Sequence, residues 1–235
     1  MSVGEAATRL GGFITFEGGE GTGKSTQVGL LVERLRTAGI AAIATREPGG
    51  SPLAERIRDA LLSGAVKPLG PVAEAMMFSA ARLDHIAATI RPALERGTFV
   101  VCDRFIDSTR VYQGTLGQVD PALLAGLERV VVGSVVPDLT LVLDLDTATG
   151  LARARARRGG DAPADRFERE GDGFHDKLRQ GFLDNAERDP DRCLVLDASR
   201  PSDELARTIW LIVRARFLAL RGATPGRPGP GTDPV

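Results

Sequence analysis

The sequence is poor in cysteine, histidine and aromatic residues, and its charges almost cancel. It has two cysteines, Cys102 and Cys193, and both stand in apolar strand-like runs. This placement predicts buried thiols and argues against a disulfide framework or a zinc site. The two histidines, His85 and His175, are isolated, and we assign them no role. The formal net charge of −1 gives no indication of nucleic acid or an acidic membrane surface as a partner.

Long apolar runs are also absent. No run reaches the length that a membrane span requires, and the opening segment MSVGEAATRL contains no apolar core like that of a secretory signal. We therefore expect a cytoplasmic protein without a membrane partner. The hydrophobic content of 43% is ordinary for a globular protein, and 235 residues suit one α/β domain with a sizeable core.

Short apolar runs alternate with helical patterns along the chain. The apolar runs predict strands at 13–17, 41–45, 98–103, 139–144 and 192–197. The helical patterns lie near 24–38, 52–62, 70–91, 121–132, 147–157, 173–188 and 202–220. This alternation predicts a parallel, doubly wound sheet that is covered on both faces. Ligands of such sheets bind beyond the carboxyl ends of the strands, where we expect Glu17, Arg46, Asp103 and Asp144.

The two ends of the chain differ from its middle. Residues 1–11 form a short leader that we expect to be loosely ordered. Residues 222–235 are rich in glycine and proline and lack apolar side chains to pack, which predicts a disordered tail. The folded domain is therefore expected at 12–221.

The segment Gly18–Thr26 is the most informative part of the sequence. It fits G-x-x-x-x-G-K-[ST], the phosphate-binding loop, and it lies between a predicted strand and a predicted helix, as that motif requires. Its glycines let backbone N–H groups turn toward an anion, and the helix start adds the positive end of its dipole. Lys24 can reach the β- and γ-phosphates of a nucleotide, and the Ser25 hydroxyl can hold Mg²⁺.

Charged pairs follow the second and third predicted strands. Asp103 and Arg104 end the third strand, where a carboxylate can hold a metal-bound water and an arginine can grip phosphate oxygens through two N–H groups. A surface ion pair is the alternative. Arg46 and Glu47 leave the second strand in a rigid turn with Pro48, and a solvated turn is the alternative there.

A third pair stands in a predicted helix. Phe78 and Arg82 have the i, i+4 spacing that places both side chains on one side of a helix. A planar base could stack on the ring and accept a hydrogen bond from the guanidinium. A core phenylalanine beside a surface arginine is the alternative.

Arginines surround a glycine-containing segment late in the chain. They are Arg153, Arg155, Arg157, Arg158 and Arg166, on either side of GGDAP. Phosphoryl transfer needs positive charge over the phosphates and the exclusion of water, and a closing arginine lid supplies both. A solvated basic face is the alternative.

With these motifs in order, the chain resembles bacterial thymidylate kinases from about residue 13 to about residue 220. The matching stretches are FITFEGGEGTGKST, TREPGG, EAMMFSAAR, IRPALERGTFVVCDRFIDSTRVYQG, PDLTLVLDLD, GLARARAR, ADRFERE and CLVLDASRP. The run D-R-x-x-x-S-x-x-x-Y-Q-G is close to the family's own signature and is far more specific than the phosphate loop. The resemblance implies a three-layer P-loop fold, in which helices flank a five-stranded parallel sheet and an arginine-rich lid covers it at about 153–168.

The resemblance also implies an activity, the ATP-dependent phosphorylation of dTMP to dTDP with Mg²⁺, in a homodimer. The implied ATP-binding residues are Gly18, Gly19, Glu20, Gly21, Thr22, Gly23, Lys24, Ser25, Thr26, Arg153 and Arg157. The implied catalytic residues are Lys24, Arg104, Arg166 and Glu20, and the implied metal site comprises Ser25, Asp103 and Glu47. Because the phosphate loop has no basic residue besides Lys24, the family pattern implies that the lid supplies the catalytic arginine. Arg166 matches that arginine, and Arg157 and Arg158 are the alternatives.

The implied acceptor site has a role for each residue. Glu20 would meet the 3′-hydroxyl, Tyr112 would crowd the 2′ position, and Glu47 would lie near the phosphates and the metal. The acceptor phosphate would bind Arg58 and Arg104, and the base would contact Phe78, Arg82, Thr109 and Gln113. Ser108 would also bind the substrate. The sequence departs from the family at Phe105, where Tyr or His is usual, and at Arg110, where a smaller or neutral residue is common.

Three other functions are weaker interpretations. A GTP-binding module usually carries Asn-Lys-x-Asp, but Asn185 is the single asparagine and alanine follows it. A P-loop motor ATPase is expected to end its Walker-B strand in Asp-Glu, but Leu145 follows Asp144. A kinase for another small acceptor is disfavoured by the Phe78 and Arg82 pair and by the Tyr-Gln run.

Overall fold

The structure, a computed structural model, describes residues 11–158, 167 and 170–218. The predicted tail, most of the predicted leader and most of the predicted lid, with Arg166, lie outside the described residues. The described part of the chain contains no helix with the length and apolar character that crossing a membrane requires.

Five strands form a parallel sheet at the centre of the described residues. They are β1 (Phe13–Glu17), β2 (Ala42–Arg46), β3 (Phe99–Asp103), β4 (Leu139–Asp144) and β5 (Cys193–Asp197), in the order β2-β3-β1-β4-β5. All four strand pairings are parallel. The predicted five-stranded parallel sheet is confirmed, and each predicted strand start lies within one residue of the observed start.

Helices alternate with these strands. They are α1 (Lys24–Thr37), α2 (Pro52–Ser63), α3 (Gly70–His85), α4 (Arg91–Glu95), α5 (Ile106–Thr109), α6 (Pro121–Val131), α7 (Thr147–Arg158), α8 (Asp172–Arg188) and α9 (Ser202–Val213). A π-helical turn at Ile86–Ile90 joins α3 to α4, and another at Arg110–Leu116 extends α5. The helical stretch 106–116 was not predicted, because its polar and apolar residues follow no clear helical period.

Apolar side chains cover both faces of the sheet. On one face, Ile14 and Phe16 of β1 pack in a core cluster with α1 and α9. On the other face, Phe13 packs with the π turn after α3 and with the end of α6. The central strand β1 is buried at all five positions, whereas the edge strands β2 and β5 expose alternate residues. Both cysteines are buried free thiols, as predicted.

The carboxyl ends of the strands meet at one edge of the sheet and gather the polar residues there. Phe16 of β1 is paired with Asp103 of β3, and Arg46 of β2 is paired with the same residue from the other side. The backbone N–H of Arg104 donates to the Phe16 carbonyl (2.9 Å), and the N–H of Glu47 donates to the Asp103 carbonyl (2.9 Å). The predicted clustering at this edge is therefore present.

Candidate functional site

The phosphate loop connects β1 to α1, and its shape depends on glycine. Gly18, Gly21 and Gly23 have φ angles of 131°, 68° and 91°, in the region that side chains rarely adopt. A Cβ on Gly21 would also lie 1.9 Å from the Gly150 carbonyl oxygen. The loop thus packs directly against the backbone of α7, which leaves no space for a side chain at this position.

Lys24 lies on the inside of this loop. Its Nζ donates to the carbonyl oxygens of Gly18 (3.1 Å) and Gly19 (2.6 Å). Burial, reinforced by the nearby Arg104 charge, lowers the pKa of Lys24 to about 8. The buried ammonium group is therefore only partly compensated by negative charge, and a bound phosphate would supply more.

Ser25 and Asp103 form the part of the site that suits a metal ion. The Ser25 hydroxyl donates to Asp103 Oδ2 at 2.6 Å. Mg²⁺ prefers oxygen ligands, and it usually takes one or two protein oxygens together with waters and substrate phosphates. A hydroxyl and a carboxylate beside a phosphate loop fit this ion.

Arg104 is bound across the entrance of the loop and is not part of a surface ion pair. It has a φ angle of 67°, which is uncommon for a residue with a side chain. Its guanidinium donates to Glu20 Oε1 (2.7 Å), to the Gly18 carbonyl (3.1 Å) and to Ser108 Oγ (3.3 Å). Burial acts to raise the pKa of Glu20, but the charges of Arg104 and Lys24 overcome it and hold that pKa below its usual value.

Glu17, at the end of β1, anchors the start of the helical stretch 106–116. Its carboxylate is fully buried and accepts hydrogen bonds from the N–H groups of Phe105 (2.8 Å) and Ser108 (3.1 Å) and from the Ser108 hydroxyl (2.6 Å). Burial and the nearby Asp107 charge raise the pKa of Glu17 to about 7. One buried carboxylate thus fixes the backbone that carries Arg104 and Ser108.

Asp107 also anchors the helical stretch 106–116, on the side that faces α8. It accepts two hydrogen bonds from Arg192 (2.7 and 2.9 Å), one from Asn185 (2.7 Å) and one from Arg110 (3.0 Å). Arg110, a departure from the family pattern, also binds Glu128. This buried network ties the stretch to α8 and to the residue before β5.

A cleft of about 240 Å³ lies between the phosphate loop, α3 and the stretch 106–116. It brings together most of the residues predicted for the site, namely Glu20, Gly21, Gly23, Lys24, Ser25, Glu47, Arg58, Phe78, Arg82, Asp103, Arg104, Ser108, Thr109, Tyr112, Gln113 and Arg157. Phe167, for which no role was predicted, also lines it, with its ring centroid 5.1 Å from that of Tyr112.

A few predicted residues lie elsewhere. Gly18, Gly19 and Thr22 line a smaller adjoining cavity of about 20 Å³, and Thr26 is exposed on α1. Arg153, predicted to bind ATP, donates to the Ala198 carbonyl (3.0 Å) after β5. The predicted lid arginine Arg166 lies outside the described residues.

The alternative of a surface arginine at position 82 is wrong. Arg82 is only 4% exposed, and its Nε donates to Glu47 Oε2 at 2.6 Å. Its Nη2 donates to the carbonyl of Phe105 (3.1 Å), whose own ring packs edge-on against Phe13. Phe78 is partly exposed on the cleft wall rather than lost in the core.

Glu47, predicted to lie near the phosphates and the metal, lines the same cleft as Ser25 and Asp103, and its carboxylate has two protein partners. One carboxylate oxygen contacts Arg82, and the other lies 3.0 Å from His85 Nδ1. The carboxylate is therefore turned toward α3, whereas Arg46 beside it is exposed and pairs with Glu55, as a solvated turn would.

The contacts of Glu17, His85 and Asp107 were not predicted from the sequence. Their partners lie far away in the chain, as with Arg192, which is 85 positions from Asp107. No local pattern marks such pairs, and only the tertiary packing of the elements that carry them brings them together.

Comparisons with known proteins agree on one family. A family model described as thymidylate kinase matches residues 16–209. The chain is 54% identical over 220 residues to the thymidylate kinase of Nitrobacter winogradskyi, covering 94% of this chain and 95% of that protein. It is 52% identical over 208 residues to the thymidylate kinase of Bradyrhizobium diazoefficiens, covering 88% and 91%.

A solved structure supports the same assignment. The crystal structure of thymidylate kinase from Ehrlichia chaffeensis at 2.15 Å resolution superposes with a TM-score of 0.69 and 31% sequence identity. The match covers 86% of this chain and 98% of that structure. The chain therefore belongs to the thymidylate kinase family.

Proposed function

We propose that this protein transfers the γ-phosphoryl group of ATP to dTMP and releases dTDP and ADP. The observation that carries the proposal is the single cleft in which the phosphate loop faces Phe78 and Arg82. A phosphate donor and a planar base can be held there together, and phosphoryl transfer requires mainly this positioning and charge stabilisation. Family membership selects dTMP as the acceptor.

The phosphate loop would bind the ATP phosphates. Lys24 would contact the β- and γ-phosphates, and Ser25 and Asp103 would hold Mg²⁺. When bound, the ion would neutralise charge on the phosphates. The buried contact between Glu47 and Arg82 leads us to assign Glu47 to the orientation of Arg82 rather than to the metal.

The opposite wall would bind dTMP. Arg104, with Arg58, would hold the acceptor phosphate, and Glu20 would meet the 3′-hydroxyl of the sugar. Tyr112 would crowd the 2′ position, and the base would lie between Phe78 and the residues Ser108, Thr109 and Gln113. Arg82 is buried, and two of its N–H groups donate to Glu47 and to the Phe105 carbonyl. A remaining N–H group would donate to the exocyclic oxygen of thymine.

The lid would supply the catalytic arginine, with Arg166 in that role. Arg157 already lines the cleft from α7 and would contact the ATP phosphates. Arg153, which contacts the loop after β5, would lie beside the nucleoside part of ATP. An arginine that covers the phosphates stabilises the charge of the transition state.

We further propose a homodimer that works in the cytoplasm. Apolar side chains are exposed on helices that lie beside one another, including Leu53 of α2, Met76 and Leu83 of α3, and Val130 of α6. Exposed apolar surface of this kind is typical of a subunit interface. Sedimentation at micromolar protein concentration would distinguish a dimer from a monomer.

The activity is tested by measuring ADP release with ATP, Mg²⁺ and a panel of nucleoside monophosphates (dTMP, dUMP, dCMP, dAMP and dGMP). We expect the highest kcat/KM with dTMP and a large loss without Mg²⁺. Lys24→Ala is the matched control, because the loss of one preorganised charge should lower kcat by about 100- to 1,000-fold in a folded protein. Preference for another acceptor would refute the dTMP assignment.

A further inference from the structure

His85 stands in the last turn of α3 and is completely buried. Its Nδ1 lies 3.0 Å from Glu47 Oε1, and its Nε2 lies 2.7 Å from Thr45 Oγ1. Both ring nitrogens therefore have a polar partner, one at the end of β2 and one just after it. A histidine in a purely apolar environment would have neither.

The contact with Glu47 continues to the wall of the cleft. The other oxygen of Glu47 accepts from Arg82 Nε (2.6 Å), and Arg82 Nη2 donates to the Phe105 carbonyl (3.1 Å). The side chains of Thr45, His85, Glu47 and Arg82 thus form one buried hydrogen-bonded chain. It runs from β2 through α3 to the loop that precedes α5.

The chemistry of the chain fixes the proton on His85. An ionised carboxylate can only accept hydrogen bonds, so His85 Nδ1 must carry the hydrogen that it shares with Glu47. In the neutral ring, Nε2 then accepts from the Thr45 hydroxyl. Glu47 is satisfied at both oxygens only while His85 donates to one and Arg82 to the other.

The turn after β2 is shaped to admit this chain. Gly50 has a φ angle of 83°, and a Cβ placed on it would lie 2.3 Å from His85 Nε2 and 2.5 Å from Thr45 Oγ1. A side chain at Gly50 would therefore displace the imidazole from Thr45. The second glycine of the TREPGG segment leaves the space that the histidine occupies.

We infer that His85 is a positioning residue for acceptor recognition, which acts by holding Glu47 and, through it, the guanidinium of Arg82. The inference rests on the proposed function of Arg82 in reading the acceptor base. Without a donor at Oε1, the Glu47 carboxylate could turn toward another partner, and Arg82 would lose its fixed orientation. Misplacement of a substrate-contacting group by about 1 Å can cost on the order of 100-fold in rate.

Two substitutions separate the two bonds of the imidazole. The amide of asparagine occupies nearly the position of His Nδ1, and the amide of glutamine nearly the position of Nε2. His85→Asn can therefore keep the donor to Glu47, whereas His85→Gln keeps only the contact with Thr45. We expect His85→Gln to raise the KM for dTMP about tenfold, the size of one hydrogen bond to a charged group, and to leave the KM for ATP nearly unchanged.

The ratio of kcat/KM for dTMP and dCMP gives a second readout. It is measured for both acceptors in one preparation, so a partly unfolded fraction cancels. His85→Gln should narrow this ratio about tenfold, and His85→Asn should stay within about threefold of the wild type. His175→Gln, at the other buried histidine, is the matched control. It should change neither the dTMP-to-dCMP ratio nor the KM for dTMP.

A third readout needs no substrate. In ¹⁵N NMR spectra of the ligand-free protein, the Arg82 Nε–H should exchange slowly with solvent in the wild type and in His85→Asn, but faster in His85→Gln. If the wild type did not prefer dTMP, the proposed function would fail, and this exchange rate would still decide the role of His85.

The outcomes decide the inference as follows. An unchanged dTMP-to-dCMP ratio in His85→Gln, or an equal loss in His85→Asn, overturns it. Should His85→Gln fail to fold, Thr45→Val takes its place, because it removes the remote bond and keeps the donor to Glu47. A wild-type ratio in Thr45→Val and His85→Asn supports the inference, and a tenfold loss in either one overturns it.

Discussion

The phosphate loop and the acceptor segment, which we define as residues 103–116, face each other across one cleft but are held in different ways. In the loop, Lys24 donates to the carbonyls of Gly18 and Gly19, so the bonds that shape it join near neighbours. In the acceptor segment, Glu17 binds Ser108 and Arg192 binds Asp107, over 91 and 85 positions of the chain. The bonds of Lys24 within the loop are local, whereas the bonds that hold the acceptor segment are long-range tertiary contacts.

Because of this difference, each half of the site should be sensitive to a different kind of substitution. Backbone geometry defines the loop, so a single added methyl group should distort it. Buried charged side chains define the acceptor segment, so the removal of a distant partner should damage it.

The largest effect is expected for Arg192→Met. It leaves Asp107, which is almost fully buried, without its main cationic partner, and breaking a buried ion pair from one side costs about 3–5 kcal/mol of unfolding free energy. Arg207→Met is the control, because Arg207 pairs with Asp203 on the exposed side of α9 and should change stability by less than about 0.5 kcal/mol. Urea denaturation measures both values. Equal losses would show that the buried network is not what anchors the acceptor segment.

A smaller effect is expected for Gly21→Ala in the phosphate loop. The left-handed φ angle costs a side chain about 1–2 kcal/mol, and the Cβ would also meet the Gly150 backbone, so a loss of at least about 2 kcal/mol is expected. Gly29→Ala is the control, since that position is exposed in α1 with no atom within 4 Å of the added Cβ. It should stabilise the protein by up to about 1 kcal/mol. Thermal denaturation compares the two, and a neutral Gly21→Ala would argue against a loop defined by its backbone.

An effect of similar size, spread over a pH range, is expected from Glu17. Because its folded pKa of about 7 lies above the unfolded value of 4.5, the folded protein binds the extra proton between these two pH values. Stability from Glu17 is therefore full below about pH 4.5 and falls as pH rises toward 7, by at most about 1.4 kcal/mol per pH unit.

Glu17→Gln isolates this contribution. The amide is similar in shape and does not titrate, so the difference in unfolding free energy between wild type and variant should decrease from pH 5 to pH 7. Urea melts at several pH values measure it. Asp107 titrates in another window, because its pKa is lowered and its contribution is lost only in acid. A constant difference across this range would rule out Glu17 as the titrating group.

The phosphate loop could be predicted from the sequence, whereas the contacts that hold the acceptor segment could not. The sequence by itself determined the sheet, the phosphate loop and the identity of most cleft residues. Continuous apolar runs suffice to place strands that are buried on both faces. The glycines, Lys24 and Ser25 of the phosphate loop act together with the neighbouring backbone, so a short stretch of consecutive residues is enough to predict the loop. The run from Asp103 to Gly114 identified the family because it is long and specific.

Only the tertiary structure decided how the side chains of the acceptor wall are held. It joined Glu47 to Arg82, gave His85 a place between Thr45 and Glu47, and joined Arg192 to Asp107 beside the helical stretch. These contacts arise because a buried polar group needs a partner wherever the packing places one, and that partner has no fixed spacing in the sequence. Local patterns thus predict which residues line the cleft, whereas the folded chain determines which residues orient them.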